Sequence, residues 1–222
     1  MIKGLIFDLD GTLIDSIKDI TTSVNLSLKE YGFKEVSLDF VRKNTGRGFR
    51  VLVQDSLSEV KDDKLIDEIT DLYTAKYGEH YKDETNAYEG IKETLTLLQE
   101  KGIKLAVNSN KKDIYTKSLM KKIFPNIDFI AVYGEREGIK NKPDPTSANE
   151  IVDIMKLDKQ EVLYVGDSEV DIRTAKNANL KSIGCKWGFR KEQVLIEEGA
   201  TYIIDKPQEM IDIIERSKRW KT

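Results

Sequence analysis

Two carboxylates stand two residues apart in Asp8-Leu9-Asp10-Gly11-Thr12, directly after the apolar run Gly4-Leu5-Ile6-Phe7. In an extended chain such residues face one side, so Asp8 and Asp10 converge where the run ends. Close carboxylates repel, and both stay ionised most readily beside a cation. Hard oxygen donors of this kind favour Mg²⁺. Gly11 lets the following amides turn toward an anion. The same residues would also make an ordinary acidic turn, in which Asp-Gly is common. A calcium loop fits poorly: counted from Asp8, its glycine position is Leu13 and its closing glutamate position is Asp19.

Three further stretches have suitable chemistry. Val107-Asn108-Ser109-Asn110-Lys111 ends another apolar run. The Ser109 hydroxyl can donate to a phosphate oxygen with help from the next amides, although Ser and Asn also cap helices routinely. In Lys142-Pro143-Asp144-Pro145 a lysine leads into a restricted backbone and could neutralise a phosphate and a carboxylate together. Gly166-Asp167-Ser168-Glu169-Val170-Asp171 follows a third run. There Asp167 is the better metal ligand, and Asp171 is a partner behind the ligands or only a helix cap. Each piece is weak alone. Their conjunction, each at the end of an apolar run, is not.

The runs read as buried strands: 4–7, 103–107, 129–132, 162–165, 182–185 and 202–204. Helix-period stripes lie between most of them: Ile91, Leu95 and Leu98; then Ala148, Ile151, Val152 and Met155; then Met210, Ile211 and Ile214. Pro145 and Pro207 fall where helices should begin. This alternation predicts an α/β protein with a parallel sheet and helices on both faces. Ligands of such sheets bind at the carboxyl ends of the strands. Residues 16 to about 83 break the rhythm. Ile17, Ile20, Val24, Leu28 and Tyr31 form a helical stripe, and amphipathic segments follow around 38–43, 48–57 and 62–82, with no convincing strand. The expectation is a helical domain, 15–83, inserted into a core of 1–14 and 84–222.

Composition narrows the class. The chain has 222 residues, 36 Lys and Arg against 39 Asp and Glu, and a net charge of −3, a balance without the basic surplus of a nucleic-acid-binding protein. No apolar stretch is long enough to span a membrane. The start of the chain reaches an acidic residue too soon for a signal peptide. A single cysteine, Cys185, rules out an internal disulfide and a cysteine-based zinc site, and packing is its expected role. A soluble cytoplasmic protein, monomer or homodimer, is the default expectation, with no nucleic-acid or membrane partner.

The four stretches together resemble the haloacid dehalogenase superfamily, in particular its phosphoglycolate phosphatase-like branch. Asp8 to Ser16 is similar to the family's first motif. Ser109 with Asn110-Lys111, Lys142-Pro143-Asp144-Pro145 and Gly166-Asp167-Ser168-x-x-Asp171 are similar to the other three. Tyr88-Glu89-Gly90-Ile91 and Trp187-Gly188-Phe189-Arg190 also look like stretches of this branch. The resemblance implies a Rossmann-like core with strand order 5-4-1-2-3 and extra C-terminal strands, the inserted helices being a cap. It implies a small phosphorylated metabolite as substrate. Asp8 would be the nucleophile that becomes an aspartyl-phosphate and Asp10 the general acid and base. Mg²⁺ would be held by Asp8, the Asp10 carbonyl and Asp167, while Lys142 and Ser109 steady the phosphoryl oxygens. Gly11 and Asn110 would assist in phosphate binding. In the inserted helices, Thr45-Gly46-Arg47-Gly48-Phe49 resembles a substrate loop whose Arg47 could grip a carboxylate, although a solvated loop arginine is the commoner case.

Departures sharpen the choice. Dehalogenases of the superfamily lack the second acid, which is present here as Asp10. Sugar phosphomutases carry a histidine where this chain has Ile20, and the lone His80 lies near the end of the insertion. Asn108 and Glu89 replace residues more usual in the branch. The leading expectation is therefore a Mg²⁺-dependent phosphomonoester hydrolase of the phosphoglycolate phosphatase type. Its alternatives are a phosphatase for a nucleoside monophosphate, a sugar phosphate or pyrophosphate, a β-phosphoglucomutase-like enzyme, and a phosphate-binding protein without turnover.

Overall fold

A computed structural model describes residues 1–57 and 59–219. The first strand, β1 (Gly4–Phe7), lies in the middle of a six-stranded sheet with β4 (Lys104–Lys112) on one side and β6 (Val162–Gly166) on the other, both parallel to it. Outward from β4 comes β5 (Phe129–Glu135); outward from β6 come β7 (Lys181–Cys185) and β8 (Tyr202–Ile204). The spatial order β5-β4-β1-β6-β7-β8 is that of an α/β Rossmann-like core, with β8 as the extra C-terminal strand.

Period-2 alternation decides which side chains face which layer. Leu5 and Phe7 of β1, Leu105 and Val107 of β4, and Leu163 and Val165 of β6 enter one hydrophobic core. They join Ile91, Leu95 and Leu98 of helix α5 (Ile91–Glu100), Leu119 and Met120 of α6 (Asp113–Ile123), and Met210 and Ile214 of α10 (Glu209–Arg219). Ile6, Ala106 and Tyr164, one residue out of phase, enter the opposite core with Ala148, Ile151 and Met155 of α7 (Thr146–Met155) and Ala175 of α8 (Glu169–Asn177). A strand buried on both faces must read as an unbroken apolar run, which is why these segments stood out.

Between β1 and α5 the chain forms four helices: α1 (Ile17–Glu30), α2 (Leu38–Asn44), α3 (Phe49–Ser56) and α4 (Asp63–His80). Ser37 accepts a hydrogen bond from Phe40 N at the start of α2, and Asp62 accepts from Lys64 N and Leu65 N at the start of α4. Two short strands absent from the sequence expectation, β2 (Ile14–Asp15) and β3 (Asn86–Ala87), pair antiparallel where the chain leaves and re-enters the sheet layer. Two residues apiece leave no periodicity to read. Asp19 reinforces this neck: its buried carboxylate accepts from Glu84 N, Thr85 N and Thr85 Oγ1 at 3.0, 3.0 and 2.6 Å. The strand expected to end at Val107 runs on to Lys112, with a shift of register between Asn108 and Lys112. The helix α9 (Glu192–Glu197) joins β7 to β8. No helix among the described residues is long and apolar enough to cross a membrane.

Candidate active site

Asp8 follows β1, and Asp167 and Asp171 follow β6, so the pairing of these adjacent parallel strands brings the three carboxylates together. Each offers an oxygen within 4.8 Å of the other two, and all three residues are buried. Lys142, also buried, stands with Nζ 2.8 Å from Asp8 Oδ1 and 2.8 Å from Asp171 Oδ1. Three carboxylates against one ammonium leave an excess of negative charge out of water, so the cluster holds protons tightly. Burial, and then the neighbouring Asp171, push Asp8 well above the usual carboxylate range and push Asp167 up to about 7. Burial alone would lower Lys142, but Asp171 and Asp8 outweigh it and hold the ammonium well above its ordinary value. Hard oxygen donors with two surplus negative charges suit a divalent cation.

The remaining lone pairs are oriented. Asp167 accepts from Thr12 Oγ1 and from Phe189 N, both at 2.8 Å. Asp171 accepts from Ser168 N and Ser168 Oγ at the start of α8. Asp171 is thus a helix cap and a member of the carboxylate cluster at once, a combination that the spacing left open. Two glycines make room. Gly11 has φ +88°, and a Cβ there would lie 2.5 Å from an Asp167 oxygen. A Cβ on Gly188 would lie 2.2 Å from Asp167 Cβ and 2.4 Å from the Gly11 carbonyl. The Gly11 amide donates to Ile14 O at 2.9 Å, so it tightens the turn and does not point at a ligand.

Asp10 is placed differently from Asp8. Its carboxylate lies outside the triad, with Lys111 Nζ at 2.7 and 2.8 Å from its two oxygens and the Ser16 hydroxyl on Oδ1 at 2.5 Å. Any contact of Asp10 with the cation would therefore come from its backbone carbonyl. The Lys111 ammonium also stands 4.6 Å from the centroid of Tyr77, on α4. Lys111 was visible in the sequence only as a neighbour of Ser109. The strand was expected to end at Val107, so nothing in the sequence showed that Lys111 would be buried within it; a buried charge needs a partner, and only the longer strand shows this one to be buried.

A small chamber of about 30 Å³ lies beside Asp8, between the strand ends and the helical insertion. Asp8, Asp10, Ser109 and Lys111 line its floor; Gly46, Gly48 and Phe49 are among the residues that roof it. Ser109 is buried, and its Oγ accepts from Lys111 N at 3.2 Å, which leaves its proton free to donate. Asn110 differs from the expected anion contact. Its amide holds the Lys142 backbone from both sides, Nδ2 to O at 3.1 Å and N to Oδ1 at 2.8 Å, and reaches Gly46 O at 3.0 Å. It positions Lys142 and ties the roof to the floor. Arg47 is also displaced from its expected place: it is exposed, pairs with Asp55 at 2.5 Å and lines an outer groove. Flanked by Gly46 and Gly48, its backbone carries the side chain away from the chamber.

Residues 5–185 match a family model described as haloacid dehalogenase-like hydrolase. The chain belongs to the haloacid dehalogenase-like hydrolases. Among these hydrolases it falls in the phosphoglycolate phosphatase-like branch. It is 33% identical over 213 residues to a phosphoglycolate phosphatase of Aquifex aeolicus, covering 96% of this chain and 97% of the relative. It is 29% identical over 217 residues to phosphoglycolate phosphatase 1 of Pseudomonas aeruginosa, covering 96% and 80%. The crystal structure of a predicted phosphoglycolate phosphatase from Haemophilus somnus superposes with a TM-score of 0.87 at 26% identity, covering 96% and 98%.

Proposed function

We propose that this hydrolase is a Mg²⁺-dependent phosphomonoesterase acting through an aspartyl-phosphate on Asp8, with 2-phosphoglycolate as its substrate. The observation that carries the reading is the buried Asp8–Asp167–Asp171 cluster around Lys142, beside a chamber holding Ser109 and Asp10. The names of the relatives from Aquifex aeolicus and Pseudomonas aeruginosa support the substrate.

Asp8, Asp167 and the Asp10 carbonyl would hold the cation, with Asp171 bracing the site through Lys142 and Ser168. When bound, the cation supplies charge neutralisation that lets a carboxylate approach a phosphate dianion. An Asp8 carboxylate oxygen attacks phosphorus as the bond to the leaving oxygen breaks, and Asp10 gives that oxygen a proton. Asp10 then takes a proton from the water that attacks the phosphoryl group, and Asp8 is regenerated. Lys142 and Ser109 donate to the phosphoryl oxygens, where the charge develops. Helices α1–α4 act as a cap. A chamber of about 30 Å³ holds little more than a water molecule, so the cap must swing away for entry and closes over the reacting groups.

The test is release of phosphate from a panel of phosphomonoesters, compared by kcat/KM with Mg²⁺ and with EDTA. The expected result is metal-dependent turnover, greatest for 2-phosphoglycolate and lost in Asp8→Asn. Metal-independent turnover, or turnover undiminished in Asp8→Asn, would overturn the mechanism.

A further inference from the structure

We propose that Lys111, rather than Arg47, receives the carboxylate of the substrate, and that in doing so it releases Asp10. The proposal rests on the phosphomonoesterase reading of the site and adds to it a determinant of specificity.

Lys111 is the one cationic residue among the described residues that line the chamber beside Asp8. Lys142, paired with Asp8 and Asp171, serves the phosphoryl oxygens in the phosphomonoesterase reading and does not line the chamber. Arg47 lines the outer groove and is paired with Asp55. The Lys111 side chain is 1% exposed, so its charge is out of water and must keep a carboxylate beside it. Asp10 fills that place in this structure, with Lys111 Nζ 2.7 and 2.8 Å from its two oxygens, and the Tyr77 ring supports the ammonium at 4.6 Å.

A substrate carboxylate is the same kind of acceptor as the Asp10 side chain. Exchanging one for the other keeps the buried ammonium paired throughout. The exchange also solves a positional problem, because Asp10 gripped through both oxygens by Lys111 is not free to reach the ester oxygen of a bound phosphate. A carboxylated substrate frees it; a neutral substituent of the same length does not.

The deciding comparison is 2-phosphoglycolate against 2-hydroxyethyl phosphate, equal in length and differing in the carboxylate. Wild-type kcat/KM is expected to favour 2-phosphoglycolate by tenfold or more, the worth of a charge-assisted pair. In Lys111→Met that ratio is expected to collapse at least tenfold, while Arg47→Ala leaves it within about twofold. If both substrates lose equally in Lys111→Met, the residue only positions Asp10 and the proposal is wrong. Should the methionine variant not fold, Lys111→Arg decides: its longer, planar cation moves the charge, so the ratio must fall at least threefold, and an unchanged ratio overturns the proposal. Wild-type hydrolysis of both esters without preference overturns this inference alone. No hydrolysis of any phosphomonoester with Mg²⁺ overturns the parent reading as well.

Discussion

Arg190 Nη2 donates to the Thr45 carbonyl oxygen at 2.8 Å, across 145 residues of chain. The same guanidinium donates to Arg42 O through Nη1 and to Glu169 Oε2 through Nε. It therefore joins the β7–α9 loop, the first residue of α8 and the carboxyl end of α2 in the helical insertion. Nothing in Trp187-Gly188-Phe189-Arg190 announces this role. A cation at the end of α2 also meets the negative end of that helix. Arg190→Met should loosen the closed arrangement. Hydrogen exchange of amides 42–48 should speed up, and urea should unfold the protein with a loss of about 2 kcal/mol. Unchanged exchange in that loop would show that the contact does not hold the insertion in place.

Asp19 serves the neck of the insertion. Its carboxylate satisfies two backbone amides and the Thr85 hydroxyl, all on the returning segment 84–85. Asp19→Ala leaves these buried or partly buried donors without their acceptor, at a cost of about 2–4 kcal/mol. Denaturant melts read the loss, and Asp19→Asn should recover part of it because one oxygen remains.

Gly188 presses its backbone against Asp167. A methyl group there would lie 2.2 Å from Asp167 Cβ, so Gly188→Ala must move either the loop or the carboxylate. We expect metal affinity, followed by calorimetry with Mg²⁺, to fall about 10- to 100-fold, as when groups that orient a ligand are removed. Wild-type affinity in the alanine variant would contradict the packing described.

The pH dependence follows from Asp167. Its carboxyl is pushed up to about 7 from 3.8, first by burial and then by Asp171. The folded protein thus holds this proton more tightly than the unfolded chain. Stability from this group is complete below the unfolded value and is lost as pH rises through the folded one. In EDTA the wild type should lose stability relative to Asp167→Asn between about pH 4 and about pH 7. With excess Mg²⁺ the trend should reverse, because the ion competes with the proton and binds better as pH rises. Thermal melts of both proteins across this range, with and without the ion, check the sign.

Much of the architecture was legible because it depends on local periodicity. Leu5 and Phe7 on one face and Ile6 on the other require a strand with two covered faces, and Ala148, Ile151, Val152 and Met155 require a helix with one. The chemistry at the strand ends was legible for the same reason, since Asp8 and Asp167 sit within a residue or two of apolar runs. The pair β2 and β3 was not, being two residues each with nothing periodic to detect.

By itself the order of residues determined the α/β class, the run of helices between the first strand and the rest of the sheet, and the set of acids, hydroxyl and lysine at the strand ends. Those properties follow from neighbours within a turn or a strand, where the chain's own geometry fixes the side chain's direction. The tertiary structure alone decided that Asp171 joins Asp8 and Asp167, that Lys111 takes Asp10, that Asn110 serves the Lys142 backbone and that Arg47 faces away. Each depends on how long, freely rotating side chains share a limited buried space with partners from other elements, and a charge removed from water settles on the partner that folding brings within reach.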